Sequence, residues 1–364
     1  MKRALALSRL GTPSPNPYVG CVIVKDRKTI GKGYHHETGQ SHAEIVAMQD
    51  AASKGHSLAG SEMYVTLEPC CHQGRTPPCT EAIIREKIKK VFVAIQDPNP
   101  RVHGKGTEEL EKAGVQIKQG LLADEAREVN KIFFTWISTG RPFVTIKVAV
   151  TKEGFIADGS GKRKIISNKK SREYAHQLRS RYDAILVGIN TVLQDNPQLT
   201  TRIPGGKDPL RVIVDSRLQI PLTARVLHDT NVVVATTKQH DPEKKRLLEK
   251  KGILCLVLGD KEVDLRKLLQ ELGRKQIGLG SKQKETRLIT SVLVEGGSII
   301  NGSFLRKKLA DSIIIIKTPR TFDSGVSFAQ GFTLRDLQKK VDLKEIARFE
   351  EDVVLEGNFK NKPP

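Results

Sequence analysis

Short runs of β-branched and aliphatic residues alternate with segments of helical periodicity along almost the whole of this 364-residue chain. In the first part, strands are predicted at residues 19–24, 63–67, 91–95 and 115–118, and helices at 42–52, 80–89, 105–113 and 123–137. In the second part, strands are predicted at 143–150, 184–188, 210–214, 231–235, 253–258 and 291–294. Such alternation is typical of α/β folds, in which helices cover the faces of a sheet.

The turn-rich segment Ser138-Thr139-Gly140-Arg141-Pro142 separates a predicted helix from a predicted strand. The chain is longer than one ordinary hydrophobic core supports, since single domains typically have about 100–200 residues. We therefore predict two α/β domains, at residues 1–140 and 141–364. Residues 273–287, which are rich in Lys, Gly and Gln, interrupt the second alternation and predict a mobile surface loop.

The chain is strongly basic, with 61 Lys and Arg against 41 Asp and Glu, and most of the surplus lies after residue 140. Such a surplus could attract nucleic acid, a membrane surface or small phosphorylated ligands. Alternatively, the basic residues simply form a solvated surface. No basic stripe is interleaved with aromatic residues, as in proteins that bind single strands. The longest aliphatic run, at residues 313–316, is far shorter than the roughly 20 residues of a membrane helix.

The five cysteines are too few and too unevenly placed for a disulfide scaffold. Cys70, Cys71 and Cys79 are clustered, and in a reducing compartment such clustering indicates metal binding or catalysis. The apolar run near the N-terminus, at residues 4–7, is too short for the core of a secretory signal. We therefore expect a cytoplasmic protein.

The motif with the clearest chemistry is His42-Ala43-Glu44, followed by Pro69-Cys70 and then by Cys79. One imidazole and two thiolates suit zinc with its fourth position open to water, whereas a structural zinc takes four protein ligands. Glu44 lies two residues after His42 on the same predicted helix, so it can move a proton from that water to a departing amine. The motif predicts a hydrolytic deaminase that replaces an amine on an amidine-like ring carbon by an oxo group.

Because Cys70 and Cys71 are adjacent, either thiol could be the ligand. Cys70 is preferred since it follows Pro69, as in the zinc deaminase signature. That general signature has two residues between its cysteines, whereas eight lie between Cys70 and Cys79. The longer insert predicts a specialised substrate.

The insert, Cys71-His72-Gln73-Gly74-Arg75-Thr76-Pro77-Pro78, and the upstream Pro15-Asn16-Pro17-Tyr18-Val19-Gly20 closely resemble the pyrimidine deaminases of riboflavin biosynthesis. In that family the deaminase is usually fused to a reductase, and the resemblance covers nearly the whole chain. It implies a cytidine-deaminase-like layer sandwich in which zinc is held by His42, Cys70 and Cys79, with Glu44 as the catalytic acid and base. It further implies that the substrate is contacted by Asn16, His35, His72 and Arg75.

Several later segments resemble the reductase half of the same family, whose fold is like dihydrofolate reductase. They are Thr145-Ile146-Lys147, residues 188–197, Leu199-Thr200-Thr201-Arg202, Val214-Asp215-Ser216 and Val294-Glu295-Gly296-Gly297. The resemblance implies a catalytic role for Lys147 near the reacting carbon. It implies substrate contacts at Arg179, Leu199, Arg202 and Glu295. It implies that NADPH is lined by Val150, Ile165, Thr191, Asp195, Ser216, Gly296 and Gly297. Arg163 and Ile165 stand where the family commonly has Ser and Trp.

We therefore expect a bifunctional enzyme with zinc and NADPH as cofactors. It would deaminate a phosphorylated pyrimidine and then reduce its opened ribose to a ribityl chain. We expect a homo-oligomer without nucleic-acid or membrane partners. Three alternatives are a zinc deaminase that acts on nucleic acid, a deaminase with an inactive reductase half, and a scaffold protein with an inactive deaminase half.

Overall fold

The computed structural model describes residues 1–74, 76–160, 165–274, 277–279 and 285–360. The chain divides into two compact units, Met1–Thr139 and Gly140–Pro364, and each unit has its own hydrophobic core. Both units combine helices with a sheet, as the alternation predicts. Among the described residues, no helix has both the length and the apolar character needed to cross a membrane.

The first unit is built on a five-stranded sheet with the order β2-β1-β3-β4-β5. Its strands are β1 (Gly20–Lys25), β2 (Lys28–Tyr34), β3 (Glu62–Val65), β4 (Lys90–Val93) and β5 (Gln116–Gln119). Its helices are α1 (Lys2–Ser8), α2 (Ala43–Ser53), α3 (Cys79–Arg85), α4 (Lys105–Lys112), α5 (Ala123–Val129) and α6 (Lys131–Thr139). The β2, β1 and β3 strands are antiparallel neighbours, whereas β3, β4 and β5 run parallel.

Two glycines of β2 allow α2 to lie directly against the sheet. A Cβ atom at Gly31 would come within 2.2 Å of the Ala47 carbonyl oxygen, and one at Gly33 within 2.3 Å of the Ala43 carbonyl oxygen. Any larger residue would push the helix away. This close packing fixes the first turn of α2, which carries the predicted catalytic glutamate.

The prediction of a single helix at residues 123–137 is wrong, because the structure has two helices, α5 and α6, separated at Asn130. The Asn130 side chain forms two hydrogen bonds with the backbone of Tyr18. Its Oδ1 accepts from Tyr18 N at 2.8 Å, and its Nδ2 donates to Tyr18 O at 2.9 Å. An asparagine that bonds to a distant backbone favours a break in the helix.

The second unit is built on a nine-stranded sheet with the order β11-β10-β9-β8-β14-β6-β15-β18-β17. The strands of this unit are β6 (Phe143–Val150), β7 (Phe155–Asp158), β8 (Ala184–Gly188), β9 (Leu210–Val214), β10 (Val232–Thr236), β11 (Leu254–Val257), β12 (Ile277–Leu279), β13 (Glu285–Arg287), β14 (Ser291–Val294), β15 (Ser312–Lys317), β16 (Gly325–Ser327), β17 (Lys344–Phe349) and β18 (Asp352–Asn358). Its helices are α7 (Lys169–Arg181), α8 (Ile189–Asp195), α9 (Pro242–Lys250), α10 (Leu265–Arg274), α11 (Ser298–Arg306) and α12 (Leu334–Gln338).

From β11 to β15 the strands of the large sheet run parallel, and β18 and β17 are antiparallel to their neighbours. The central strands are buried along their whole length, which explains why they appear in the sequence as continuous aliphatic runs. Ligands of open parallel sheets bind beyond the carboxyl ends of the strands. Residues that follow β8, β9 and β14 are therefore candidates for a site.

The prediction of a mobile loop at residues 273–287 is wrong for those of its residues that the structure describes. The α10 helix continues to Arg274, and β12 pairs with β13 in antiparallel register. Strands this short carry too few residues to show an alternating pattern, so composition alone suggests a loop.

Candidate active sites

The three predicted zinc ligands of the first unit come together from three separate elements. His42 is the residue that precedes α2, Cys70 follows β3, and Cys79 begins α3. The Nδ1 atom of His42 lies 3.3 Å from Cys79 Sγ and 3.4 Å from Cys70 Sγ. All three ligand atoms lie within 4.8 Å of one another.

These distances fit a single zinc ion. With a Zn–S bond of about 2.3 Å and a Zn–N bond of about 2.0 Å, tetrahedral ligand atoms lie about 3.5 Å apart. The hydrogen bond from Cys79, together with the charge of His42, lowers the pKa of the Cys70 thiol to about 4 despite its burial. Thiolate is the form that binds metal. Three protein ligands leave one position of a tetrahedral ion for water or substrate.

The structure separates the two adjacent cysteines. Cys70 belongs to the cluster, whereas the Cys71 thiol lies 3.9 Å from the carbonyl oxygen of Arg101. The preference for Cys70 therefore agrees with the geometry.

Glu44 is the second residue of α2 and is only 3% exposed. Burial raises the pKa of its carboxyl to about 7, although the positive charge of His42 opposes this shift. The negative charge of Cys70 adds to this rise in the pKa, because Glu44 lies beside the ligand cluster. A group with a pKa near 7 can both take and return a proton at neutral pH.

A cavity of about 440 Å³ opens onto this cluster. Of the predicted substrate residues, Asn16, His35 and His72 line it together with His42, Glu44 and Cys70. Arg75 lies outside the described residues. Burial lowers the pKa of His35, which favours its neutral form.

Asp97 and Asn99 also line the cavity, although neither belongs to the motifs that predict the site. Both belong to Asp97-Pro98-Asn99-Pro100, which begins four residues after the end of the half-buried strand β4. Because β3 and β4 are parallel neighbours, the residues after β4 lie beside those after β3, where Cys70 is. Polar residues after two adjacent parallel strands were the signal available in the sequence.

The buried carboxylate of Glu68 holds this segment in place. It accepts hydrogen bonds from the backbone N–H groups of Asp97 at 3.2 Å, Gly104 at 2.9 Å and Thr107 at 3.2 Å. Two of these donors belong to the N-terminus of α4, where Gly104 has no side chain to cap the helix. Glu68 thus joins the loop before Cys70 to the opposite wall of the cavity.

In the second unit, Lys147, Arg179 and Glu295 form one charge cluster whose side chains are only 11–13% exposed. Ile146 pairs with Val294 across β6 and β14, which brings the next residues of both strands, Lys147 and Glu295, side by side. Lys147 Nζ lies 3.9 Å from Glu295 Oε2. Arg179 donates two hydrogen bonds to the Glu295 carboxylate, at 3.0 and 2.8 Å.

The Glu295 carboxyl would have a raised pKa from burial alone. The positive charges of Arg179 and Lys147 outweigh burial and lower its pKa to about 2. Glu295 is therefore ionised at neutral pH, and it keeps two cations fixed near the carboxyl ends of the central strands.

Arg179 also holds the loop that contains two predicted substrate residues. Its guanidinium donates to the carbonyl oxygen of Thr200 at 3.1 Å. On either side of this residue, Leu199 and Arg202 have φ of 58° and 54°. Residues other than glycine rarely adopt this left-handed backbone conformation. Those that do are often found at ligand sites. Leu199 is buried and Arg202 is exposed.

A second cavity, of about 940 Å³, lies at the carboxyl ends of β8 and β9 and at the N-terminus of α11. Thr191, Ser216 and Gly297 line it. Arg217, Arg306 and Lys307 outnumber Glu262 among the charged lining residues, so the wall has a net positive charge. A helix N-terminus in a positively charged wall fits the phosphates of a dinucleotide such as NADPH.

The other predicted cofactor residues lie at different distances from this cavity. Gly296 precedes the lining residue Gly297, and Asp195 ends α8, next to the lining residue Gln194. Val150 is fully buried at the end of β6, and Ile165 is 58% exposed. The structure therefore brings Thr191, Ser216 and Gly297 together, and it does not place Val150 or Ile165 in the described wall. Arg163 lies outside the described residues.

The sequences of both units match known protein families. Residues 1–95 match the family model of the cytidine and deoxycytidylate deaminase zinc-binding region. Residues 142–355 match that of the RibD C-terminal domain. These matches confirm the predicted fold class, a cytidine-deaminase-like unit followed by a reductase unit.

Similarity also extends over the full length of the chain. Riboflavin biosynthesis protein RibD of Aquifex aeolicus is 41% identical over 360 residues, which is 98% of this chain and 96% of that protein. A solved structure of Acinetobacter baumannii RibD is 34% identical, with a TM-score of 0.83 over 99% of this chain and 98% of that one. A Thermotoga maritima diaminohydroxyphosphoribosylaminopyrimidine deaminase/5-amino-6-(5-phosphoribosylamino)uracil reductase is 35% identical, with a TM-score of 0.82 over 99% of this chain and 97% of that one. The chain therefore belongs to the RibD family, the bifunctional deaminase and reductase enzymes of riboflavin biosynthesis.

Proposed function

We propose that the first unit deaminates 2,5-diamino-6-(5-phosphoribosylamino)pyrimidin-4(3H)-one and that the second unit reduces the ribose of the product with NADPH. The observation that carries the proposal is the cluster of His42, Cys70 and Cys79 beside buried Glu44 in one cavity. The name of the Thermotoga maritima relative states the same two reactions.

His42, Cys70 and Cys79 would hold zinc in the deaminase site. Zinc, when bound, supplies the Lewis acidity that makes water nucleophilic near neutral pH. Glu44 accepts a proton from the attacking water and delivers it to the departing amine. The carbon–nitrogen bond to the exocyclic amine breaks, a carbonyl forms at the same carbon, and ammonia leaves. The pKa of about 7 at Glu44 suits both transfers.

Lys147, Arg179 and Glu295 would bind the substrate in the reductase site. NADPH, when bound, supplies the hydride that reduces C1′ of the opened ribose. Lys147 would face the reacting carbon, and the Glu295 carboxylate, 3.9 Å from its Nζ, would keep its charge and direction fixed. Thr191, Ser216 and Gly297 would line the dinucleotide in the 940 Å³ cavity.

The ligand is a small phosphorylated molecule rather than a nucleic acid. The deaminase cavity, at about 440 Å³, has the size of an ordinary small-molecule site. None of the five cysteines forms a disulfide, which supports a reducing, cytoplasmic location. A homo-oligomer is proposed as well, since β17 ends the large sheet with an exposed strand to which another chain can pair.

The decisive experiment supplies the diaminopyrimidine substrate with and without NADPH and identifies the products by mass. Wild type should give the deaminated product alone without NADPH and the ribityl product with it.

Glu44→Gln should retain zinc, yet its deamination rate should fall by a factor of about 10²–10⁴, because an amide cannot accept the proton. Lys147→Ala serves as the blank for NADPH oxidation with the deaminated intermediate. Near-normal deamination by Glu44→Gln, or equal NADPH oxidation by wild type and Lys147→Ala, contradicts the corresponding half of the proposal.

A further inference from the structure

We propose that His35 is a positioning residue of the deaminase, which holds the Asn16 carboxamide with its oxygen toward the cavity to accept a hydrogen bond from a ring N–H of the pyrimidine. The inference rests on the proposed deaminase function.

Both ring nitrogens of His35 are engaged by protein groups. The residue is 2% exposed. Nδ1 lies 3.1 Å from the carbonyl oxygen of Ser41, and Nε2 lies 3.0 Å from Nδ2 of Asn16. A carbonyl oxygen can only accept, so Nδ1 carries the proton and donates it. Since neither nitrogen is left for a substrate, His35 acts through Asn16 rather than by direct contact.

These bonds determine the direction of the Asn16 amide. A neutral imidazole that donates from Nδ1 accepts at Nε2, and only the amide NH₂ of Asn16 can donate to it. The amide is planar, so its oxygen Oδ1 points away from His35. Asn16 lines the cavity, so we infer that this oxygen accepts the hydrogen bond from a ligand.

The backbone of Asn16 is restricted as well. Asn16 lies between Pro15 and Pro17, and a following proline confines the preceding residue to extended conformations. The Asn16 N–H donates to the carbonyl oxygen of Pro13 at 2.8 Å. The acceptor is therefore fixed before a ligand arrives, and fixing it costs little entropy on binding.

An acceptor in this position distinguishes between pyrimidines. A pyrimidin-4(3H)-one has a hydrogen on N3, next to C2, the carbon that loses its amine. A cytosine ring has a lone pair on N3, and a lone pair facing Asn16 Oδ1 is repelled. The His35–Asn16 pair would thus favour a lactam-type pyrimidine over a cytosine nucleotide, although both carry an amine on an amidine-like carbon.

The test uses zinc-loaded full-length variants and measures kcat and KM for ammonia release. Asn16→Ala and His35→Phe should each lower kcat/KM by about 10- to 100-fold. His35→Asn keeps a donor for Ser41 but cannot reach Asn16, so it should show the same loss. His35→Gln offers an amide oxygen to Asn16 and should recover to within about fivefold of wild type.

The double variant His35→Phe/Asn16→Ala separates positioning from general structural support. It should be no worse than Asn16→Ala alone, since residues that act through one contact are not additive. Each variant should hold as much zinc as wild type. Losses that multiply in the double variant, or wild-type kcat/KM in His35→Asn, overturn the proposal.

A substrate analogue methylated at N3 tests the contact itself. Wild type should process this analogue at least about tenfold less efficiently than the natural substrate, and Asn16→Ala should lose that discrimination. Equal use of both compounds by wild type overturns the present inference and leaves the deaminase function intact. Failure of wild type to release ammonia from the unmethylated substrate instead overturns the proposed function.

Discussion

Thr76 fixes the ring of His42 from the side opposite the two thiols. Nδ1 of His42 faces Cys70 and Cys79, so the ring proton belongs on Nε2. The Thr76 hydroxyl oxygen lies 3.3 Å from Nε2 and can accept a hydrogen bond from the Nε2–H group of His42. Histidines that bind metal are commonly held by such a bond from their other nitrogen.

We predict that Thr76→Val weakens zinc binding by about 10- to 100-fold, because the ring loses its orienting acceptor. Thr76→Ser keeps the hydroxyl and should bind zinc as wild type does. Competition with a chelator of known affinity measures the effect. Cys71→Ser, which alters a thiol outside the cluster, serves as a matched control. Unchanged zinc affinity in Thr76→Val would show that Thr76 does not orient the ligand.

Glu295 makes the free energy of unfolding of the second unit decrease at low pH. Its carboxyl has a pKa of about 2 in the folded chain and an ordinary value of 4.5. The charge cluster therefore stabilises the fold fully above about pH 4.5, and the contribution is lost as the pH falls toward 2. From the linkage relation this contribution is on the order of 3 kcal/mol.

We predict that Glu295→Gln lowers the free energy of unfolding at pH 7 by about 3–5 kcal/mol, since Arg179 and Lys147 lose their buried partner. Between pH 5 and pH 3 the variant should lose less stability than wild type, because it lacks the titrating carboxyl. Urea unfolding at several pH values measures both effects. Parallel pH dependence in the two proteins would contradict the assigned role of Glu295.

At the scale of secondary structure, the sequence predicts the elements that local hydrophobic patterns determine, and it does not predict features that depend on distant residues. The strands predicted at 143–150, 184–188 and 291–294 are confirmed, because buried parallel strands are continuous aliphatic runs. The zinc motif was equally visible, since its residue types form one joint pattern. The break at Asn130 was not visible, because its partner Tyr18 is 112 positions away in the chain.

The edge strand β17 was missed for a related reason. Its side chains are mostly exposed, so its sequence lacks the alternation that predicts a half-buried strand. Glu68 likewise gives no sign in the sequence that it receives three backbone N–H groups from a segment some thirty to forty residues further along. Long-range hydrogen bonds leave no local periodicity.

We predict that Glu68→Ala destabilises the first unit by about 1–3 kcal/mol, since it leaves buried N–H groups of α4 and Asp97 unpaired. KM for the deaminase substrate should rise as well, because the Asp97–Asn99 wall is no longer held. The control is Glu108→Ala, which removes an exposed ion pair near the start of α4 and should change the free energy of unfolding far less. Urea unfolding and deaminase kinetics provide the two readouts. Equal effects in both variants would contradict the role of Glu68.

At the scale of the whole molecule, the chain combines two units with separate cores and separate chemistry. The metal ligands all lie in the first unit, and the NADPH cavity is lined by the second. We predict that removing zinc with a chelator abolishes ammonia release but leaves NADPH oxidation with the deaminated intermediate within about twofold of its initial rate. Restored zinc should restore deamination. A parallel loss of both activities would show that the second reaction needs the metal.

The hydrogen bonds between Asn130 and Tyr18 bear on how short a working deaminase can be made. The zinc-binding signature ends at residue 95 and already contains every metal ligand and Glu44. A protein engineer who trimmed the chain there would keep the metal ligands yet discard Asp97 and Asn130. Tyr18 lies two residues after Asn16, so the trimmed chain would lose the anchor of the segment that faces the substrate. A working deaminase therefore needs the chain at least to Asn130, well beyond the last metal ligand.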